Sequence, residues 1–200
     1  TFDESELLLD ALWKRSLDVH DQALLALHTG LRAGEIFALR WDHVDFENDI
    51  INVLGSREGE TKSGFSRQAY MTERVSEMLH RRYQDKQKGL IFESRKGGQH
   101  RDISDTFRRT VKALKFNEGV EDPRQQVCFH SLRHTFASWL ALQGEALLTI
   151  KELMGHKTVE MTMRYAHLIP DQKRAAVDKL GQRSNGKVVS MEEARQRKTG

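Results

Sequence analysis

Apolar residues recur at helical spacing over most of this chain. They do so over residues 4–16 and 20–29, and Gly30 stands where a left-handed residue would end the second of these helices. Thr1 and Glu4 have the spacing of a capping box, with Phe2, Leu7, Leu8, Leu9 and Leu12 following as an apolar set. A short helix is predicted over 33–40. The pattern then changes. "DIINVLG" (49–55) and "RQAYMT" (67–72) alternate as short strands, joined by the polar, glycine-containing "SREGETKSGFS", and "LIFES" (90–94) is expected to add a third strand. Helices are predicted again over 73–86, 103–115, 130–143, 147–154 and 158–165, with Gly144 placed to end the third of these and a last helix starting near Pro170. From Gly181 the chain is polar and reads as a flexible tail, in which "MEEARQRK" could form helix against a partner. The fold class expected is mainly α with one small antiparallel β-sheet or hairpin.

Composition narrows the class without naming a function. The 200 residues suffice for one domain with a substantial core, and 38% hydrophobic with 30% charged residues is the balance of a soluble globular protein. No apolar run approaches the ~18 residues a membrane-spanning helix needs, and no signal-peptide pattern opens the chain, so a cytoplasmic protein is expected. The single Cys128 rules out an internal disulfide and a multi-thiolate zinc site. A net charge of +3 permits nucleic acid as a partner without establishing it. A helix at residue 1 suggests that a domain lies upstream.

The chemistry concentrates in "HSLRHTFASWL" (130–140). On a helix at about 100° per residue, Phe129, Leu132, Phe136, Trp139 and Leu140 share one arc, while Gln143 on that arc and Leu142 off it break the pattern. His130 and Arg133 fall together at the border between core and solvent. His130 and His134 have the spacing of two zinc ligands on a helix, but Ser131 stands where the metalloprotease pattern has its glutamate, and Arg133 would place a fixed cation between them. A solvated helix edge is the plainer reading. A phosphate clamp needs cations from elsewhere. Arg32 follows a helix-ending glycine and could pair with Glu35. Lys62 sits at the tip of the hairpin. His156 directly follows Gly155, and Tyr165 lies nine residues further on, four after Met161, a spacing that also suits a core aromatic.

In this order the segments "TGLRAGEIFALRW", "TKSGFSRQAYMT", "HSLRHTFASWL" and "LMGHKTVEMTMRYAHL" resemble the catalytic domain of the tyrosine recombinases, the phage-integrase type of site-specific recombinase. The resemblance runs from "TFDES" to about residue 180. It implies a catalytic domain over 1–180, a tail over 181–200 able to dock on a neighbouring protomer, and N-terminal DNA-binding domains outside this chain. It implies an enzyme in which Tyr165 attacks a DNA phosphodiester, forming a 3′-phosphotyrosyl ester and releasing a 5′ hydroxyl. Arg32 and Arg133 would clamp the phosphate, since guanidinium groups give fixed, charge-assisted bonds to its oxygens. His130 and His156 would be further phosphate ligands, and His130 could also move a proton. Lys62 would be the general acid for the 5′ oxygen, with Glu35 holding Arg32 or its helix in place. No metal and no cofactor is implied. The implied partners are double-stranded DNA attachment sites and three further protomers: a monomer in solution would become a homotetramer on DNA, with directionality or architectural proteins possible. A prophage or other mobile element is the expected source. Strand relaxation like that of a type IB topoisomerase and a non-catalytic DNA-binding module are the alternatives.

Overall fold

The computed structural model describes residues 1–54, 66–83, 88–170 and 177–178. Helix α1 spans Phe2–Trp13 and α2 spans Leu17–Thr29. The Thr1/Glu4 capping box forms as its spacing predicts, with the Glu4 amide donating to Thr1 Oγ1 at 3.2 Å. Ser16 caps α2 in the same way through the Val19 amide. Gly30 ends α2 with φ +64°, and an added Cβ there would lie 2.5 Å from the Phe136 ring, so glycine is required twice over. Helix α2 is the centre of the domain. From Val19 to Thr29 every residue but His28 is buried, and α1, α3, α4 and α6 all pack against it.

A short α3 (Ala33–Phe37) leads through a 3-10 turn at Trp41–His43 to the sheet. Its strands are β1 (Val44–Asp45), β2 (Ile50–Val53) and β3 (Arg67–Tyr70), all antiparallel, in the order β1-β2-β3. The third strand is therefore not "LIFES". Of that stretch, Leu90 makes one isolated bridge, to Arg40, while Ile91 and Phe92 are spent on the core. β1, at two residues, is too short to show any alternation. The hairpin tip and the tail beyond residue 178 lie outside the described residues, and so do the docking role expected of that tail and Lys62.

Helices α4 (Glu73–Arg82), α5 (Asp105–Ala113), α6 (Phe129–Leu142) and α7 (Leu147–Met154) follow close to their predicted places. The helix predicted over 158–165 is shorter: α8 covers Glu160–Met163, and the chain turns through a 3-10 segment at Ala166–Leu168. Only Val177–Asp178 of the helix expected after Pro170 falls among the described residues, and both are helical. Two apolar clusters result. The larger joins α1–α5 to the sheet and to Phe129 and Leu132 at the start of α6. The smaller joins Ala137 and Ala141 of α6 to Ile150 and Met154 of α7 and to Tyr165. The site described next lies where the two clusters meet. No helix among the described residues is long and apolar enough to cross a membrane.

Candidate active site

Arg32, His130, Arg133, His156 and Tyr165, distant in sequence, all line one cleft of about 350 Å³. His134 and Arg164 line it too. Two helix ends and a third helix form its floor. The C-terminus of α2 presents the Gly30 carbonyl, the C-terminus of α7 presents that of Met154, and α6 runs between them. Arg133, 2% exposed, donates Nη1 to Gly30 O and Nη2 to Met154 O. Helix C-termini leave their last carbonyls without intrahelical partners, and these two receive a guanidinium. Arg133 is thus buried deeper than its place at the edge of the apolar arc predicts, because backbone acceptors from two other elements replace water. Burial first, then the charges of Arg32 and Arg67, lower its pKa to about 9, so it remains a cation at neutral pH.

Arg32 is the N-cap residue of α3. Its Nη1 donates to Glu35 Oε1 at 2.8 Å, its amide donates to Glu35 Oε2 at 2.8 Å, and its Nη2 reaches the Gly155 carbonyl at 3.3 Å. Glu35 is buried under a second guanidinium: Arg67 of β3 donates Nη1 and Nη2 to its two carboxylate oxygens at 2.9 and 2.8 Å. Burial alone would raise the Glu35 pKa. The hydrogen bonds and charge of Arg67, with the amide and charge of Arg32, outweigh it and hold the carboxyl at about 2. Arg67 Nε also donates to Leu153 O at 3.3 Å, which ties β3 to the end of α7. Gly155 makes this approach possible. Its φ is +59°, and a Cβ there would lie 2.7 Å from Arg67 Cδ.

Tyr165 is 4% exposed: it packs in the smaller core and also lines the cleft. Its amide bonds to Thr162 O at 2.9 Å, and the buried Thr162 hydroxyl lies 2.9 Å from His156 Nδ1. The Tyr165 hydroxyl is 2.5 Å from His134 Nδ1. Burial pushes the phenol pKa up, against the opposing charges of Arg164 and Arg133. Burial, together with the neighbouring cationic and imidazole groups, lowers His134 and His156 to about 4. His130 is lowered by burial and by Arg133, Arg32 and Arg164. At neutral pH the cleft therefore holds neutral imidazoles and cationic guanidiniums.

The His130–His134 pair does not stand as two parallel ligands. The rings meet edge to face with centroids 4.7 Å apart. Among the described residues no three His, Cys, Asp or Glu side chains converge as a metal-ligating group. Reading the sequence for function missed Arg67 and the contact of His134 with Tyr165. The signal for Arg67 was available: alternation along β3 puts it on the face of buried Ala69, where an arginine needs a buried acid.

The phage integrase family model matches residues 1–172. The chain is 31% identical over 177 residues to the integrase of Escherichia phage P2, covering 88% of this chain and 45% of that protein. It is also 31% identical over 191 residues to a XerC-like tyrosine recombinase of Caldanaerobacter subterraneus subsp. tengcongensis, covering 78% of this chain and 47% of that one. Its fold matches the catalytic domain of bacteriophage HP1 integrase with a TM-score of 0.67 at 29% identity, covering 88% of this chain and 90% of that chain. It matches the Tn1549 transposon integrase, solved with transposon right end DNA, with a TM-score of 0.69 at 28% identity, covering 90% and 65%. The chain spans about half the length of the curated relatives it matches. With the expected mainly helical fold and its small antiparallel sheet in place, the chain belongs to the phage integrase family, the tyrosine recombinases.

Proposed function

We propose that this chain is the catalytic domain, over 1–180, of a site-specific DNA recombinase, the integrase of a prophage or other mobile element, that cuts and rejoins DNA through a 3′-phosphotyrosyl intermediate. The observation that carries the reading is the convergence of Arg32, Arg133, His130 and His156 around the hydroxyl of a buried tyrosine, in a cleft with more guanidiniums than carboxylates.

Tyr165 attacks phosphorus. Arg133 and Arg32 meet the charge that grows on the non-bridging oxygens, with their donors already oriented by Gly30 O, Met154 O and Glu35. His156 accepts from Thr162 through Nδ1 and offers Nε2–H to the phosphate; His130 binds the same group. Lys62, from the hairpin anchored by Arg67, protonates the leaving 5′ oxygen, which departs poorly as an alkoxide. The ester conserves the energy of the broken bond, so a 5′ hydroxyl of another strand reverses the step with no nucleotide cofactor. The guanidiniums supply the electrostatics that a metal supplies in many nucleases. Double-stranded DNA is the substrate; the Tn1549 transposon integrase, a structural neighbour, was solved in complex with transposon right end DNA. The protein is monomeric free and tetrameric across two sites, with residues 181–200 docking on a neighbour and further DNA-binding domains upstream. It works in the cytoplasm, on the nucleoid.

Two labelled duplexes carrying the element's attachment sites, incubated with the full-length protein, should give products of recombinant length. Relaxation of supercoiled DNA of any sequence, with no recombinant product, would replace this reading with a topoisomerase-like one.

A further inference from the structure

A tyrosine hydroxyl that attacks phosphorus must lose its proton, and of the six residues assigned above only His130 was given a proton-accepting capacity, while the imidazole nearest the Tyr165 hydroxyl is that of a seventh, His134. We propose that His134 takes it: Nδ1 of His134 is the base that accepts the Tyr165 proton in cleavage and returns it in rejoining. This rests on the recombinase reading above and adds a catalytic residue to it.

The geometry distinguishes His134 from His130, the other imidazole on this helix. His134 Nδ1 lies 2.5 Å from the Tyr165 hydroxyl, within the reach a general base needs. His130, one turn earlier, is more exposed than His134 and meets its ring edge to face. The His134 tautomer protonated at Nε2 leaves the Nδ1 lone pair to accept from the Tyr165 O–H. The surroundings keep the phenol a donor and the imidazole a free acceptor in the resting site. Burial holds the proton on Tyr165, while burial and the nearby His130, Arg164 and Arg133 keep His134 unprotonated. The backbone fixes the pair, because Tyr165 is clamped by its amide to Thr162 and by packing on α6 and α7.

The step balances. The Tyr165 O–H bond breaks and its proton passes to His134 Nδ1. The freed electron pair forms the Oη–P bond. The P–O5′ bond breaks, and O5′ takes a proton from the general acid. In rejoining, the 5′ hydroxyl gives its proton back to the now deprotonated general acid as its oxygen attacks phosphorus, the P–Oη bond breaks, and His134 returns its proton to Tyr165.

The test is single-turnover formation of the covalent adduct by the full-length protein on a nicked duplex of its attachment site. His134→Asn keeps a polar atom near the position of Nδ1 but cannot take a proton at neutral pH. It should slow adduct formation by about 10²–10⁴-fold, the range of a general base, with DNA binding and melting temperature unchanged. Replacing Tyr165 with 2,3,5-trifluorotyrosine, a phenol that ionises near neutral pH, should restore most of the lost rate in His134→Asn and none in Arg133→Lys. The proposal is overturned if His134→Asn cleaves within threefold of wild type, or if the fluorinated nucleophile leaves it as slow as before. A wild type that forms no adduct would instead sink the recombinase reading.

Discussion

Two buried carboxylates in this domain each hold two arginines, and only one of them, Glu35, holds an arginine that lines the cleft. Asp21, on α2, accepts from Arg81 at 2.7 Å, from Arg82 at 2.9 Å and lies 2.8 Å from His20 Nδ1. Arg82 also pairs with Asp18 at 2.7 Å, and the two guanidiniums lie over the rings of Trp13 and Phe92. Two acids meet two arginines, and the charge closes on itself. Around Glu35 the same ingredients are unbalanced. One carboxylate meets Arg32 and Arg67, while Arg133 behind them bonds to carbonyls and, among the described residues, pairs with no carboxylate. Arg164 adds a further cation at the rim. A buried ion cluster is weak evidence of function by itself. What distinguishes the second cluster is a surplus of positive charge facing a cleft, the property that the proposed phosphate site requires.

That difference can be broken by mutation. Arg133→Ala removes the surplus and orphans two buried carbonyls, so adduct formation should fall on the order of 10³-fold or more in quench-flow assays. Arg133→Lys keeps the charge but loses the fork and should fall by roughly 10². Asp21→Ala should cost about 1–3 kcal/mol in denaturant unfolding, because Arg81 and Arg82 lose their buried acceptor while Arg82 keeps Asp18, yet leave the cleavage rate of folded protein unchanged. Glu35→Gln should lower both stability and rate. Equal rate losses at Asp21 and Glu35 would erase the distinction.

The pH dependence of stability sharpens it. Glu35 has its folded pKa lowered from 4.5 to about 2, so its contribution is present above pH 4.5 and is lost as pH falls towards 2. That is about 3 kcal/mol in Glu35→Gln against wild type, by the conversion of pKa shift to free energy. His134 and His156 act at milder pH. Lowered from 6.5 to about 4, they are protonated more readily unfolded than folded, so stability falls as pH drops from 6.5 to 4. Replacing both with Asn should flatten that limb in urea titrations at successive pH values. The smallest effect is expected of Gly155→Ala, roughly 1–3 kcal/mol from a left-handed backbone and the displaced Arg67 side chain, with a loss of cleavage because Arg67 supports Glu35.

Much of this was legible in the sequence, and the gaps have physical causes. The long helices announced themselves by spacing and caps, since Thr1, Ser16 and Gly30 act on their own neighbours. The third strand did not, because β1 has two residues and its identity is set by pairing with β2. Arg133 read as a border residue because amphipathic arcs count side chains, and its acceptors are carbonyls from α2 and α7. His134 read as a possible zinc ligand because its partner, Tyr165, is 31 residues away. The resemblance supplied Lys62, which lies outside the described residues, and it supplied no role for Arg67.

The most direct test of the account is covalent trapping on a nicked suicide duplex of the attachment site, in EDTA, with wild type beside Tyr165→Phe. The account predicts a DNA-linked band in denaturing gels for wild type alone. A protein that binds the site and gives no band, or a Tyr165→Phe variant that still gives one, would contradict it.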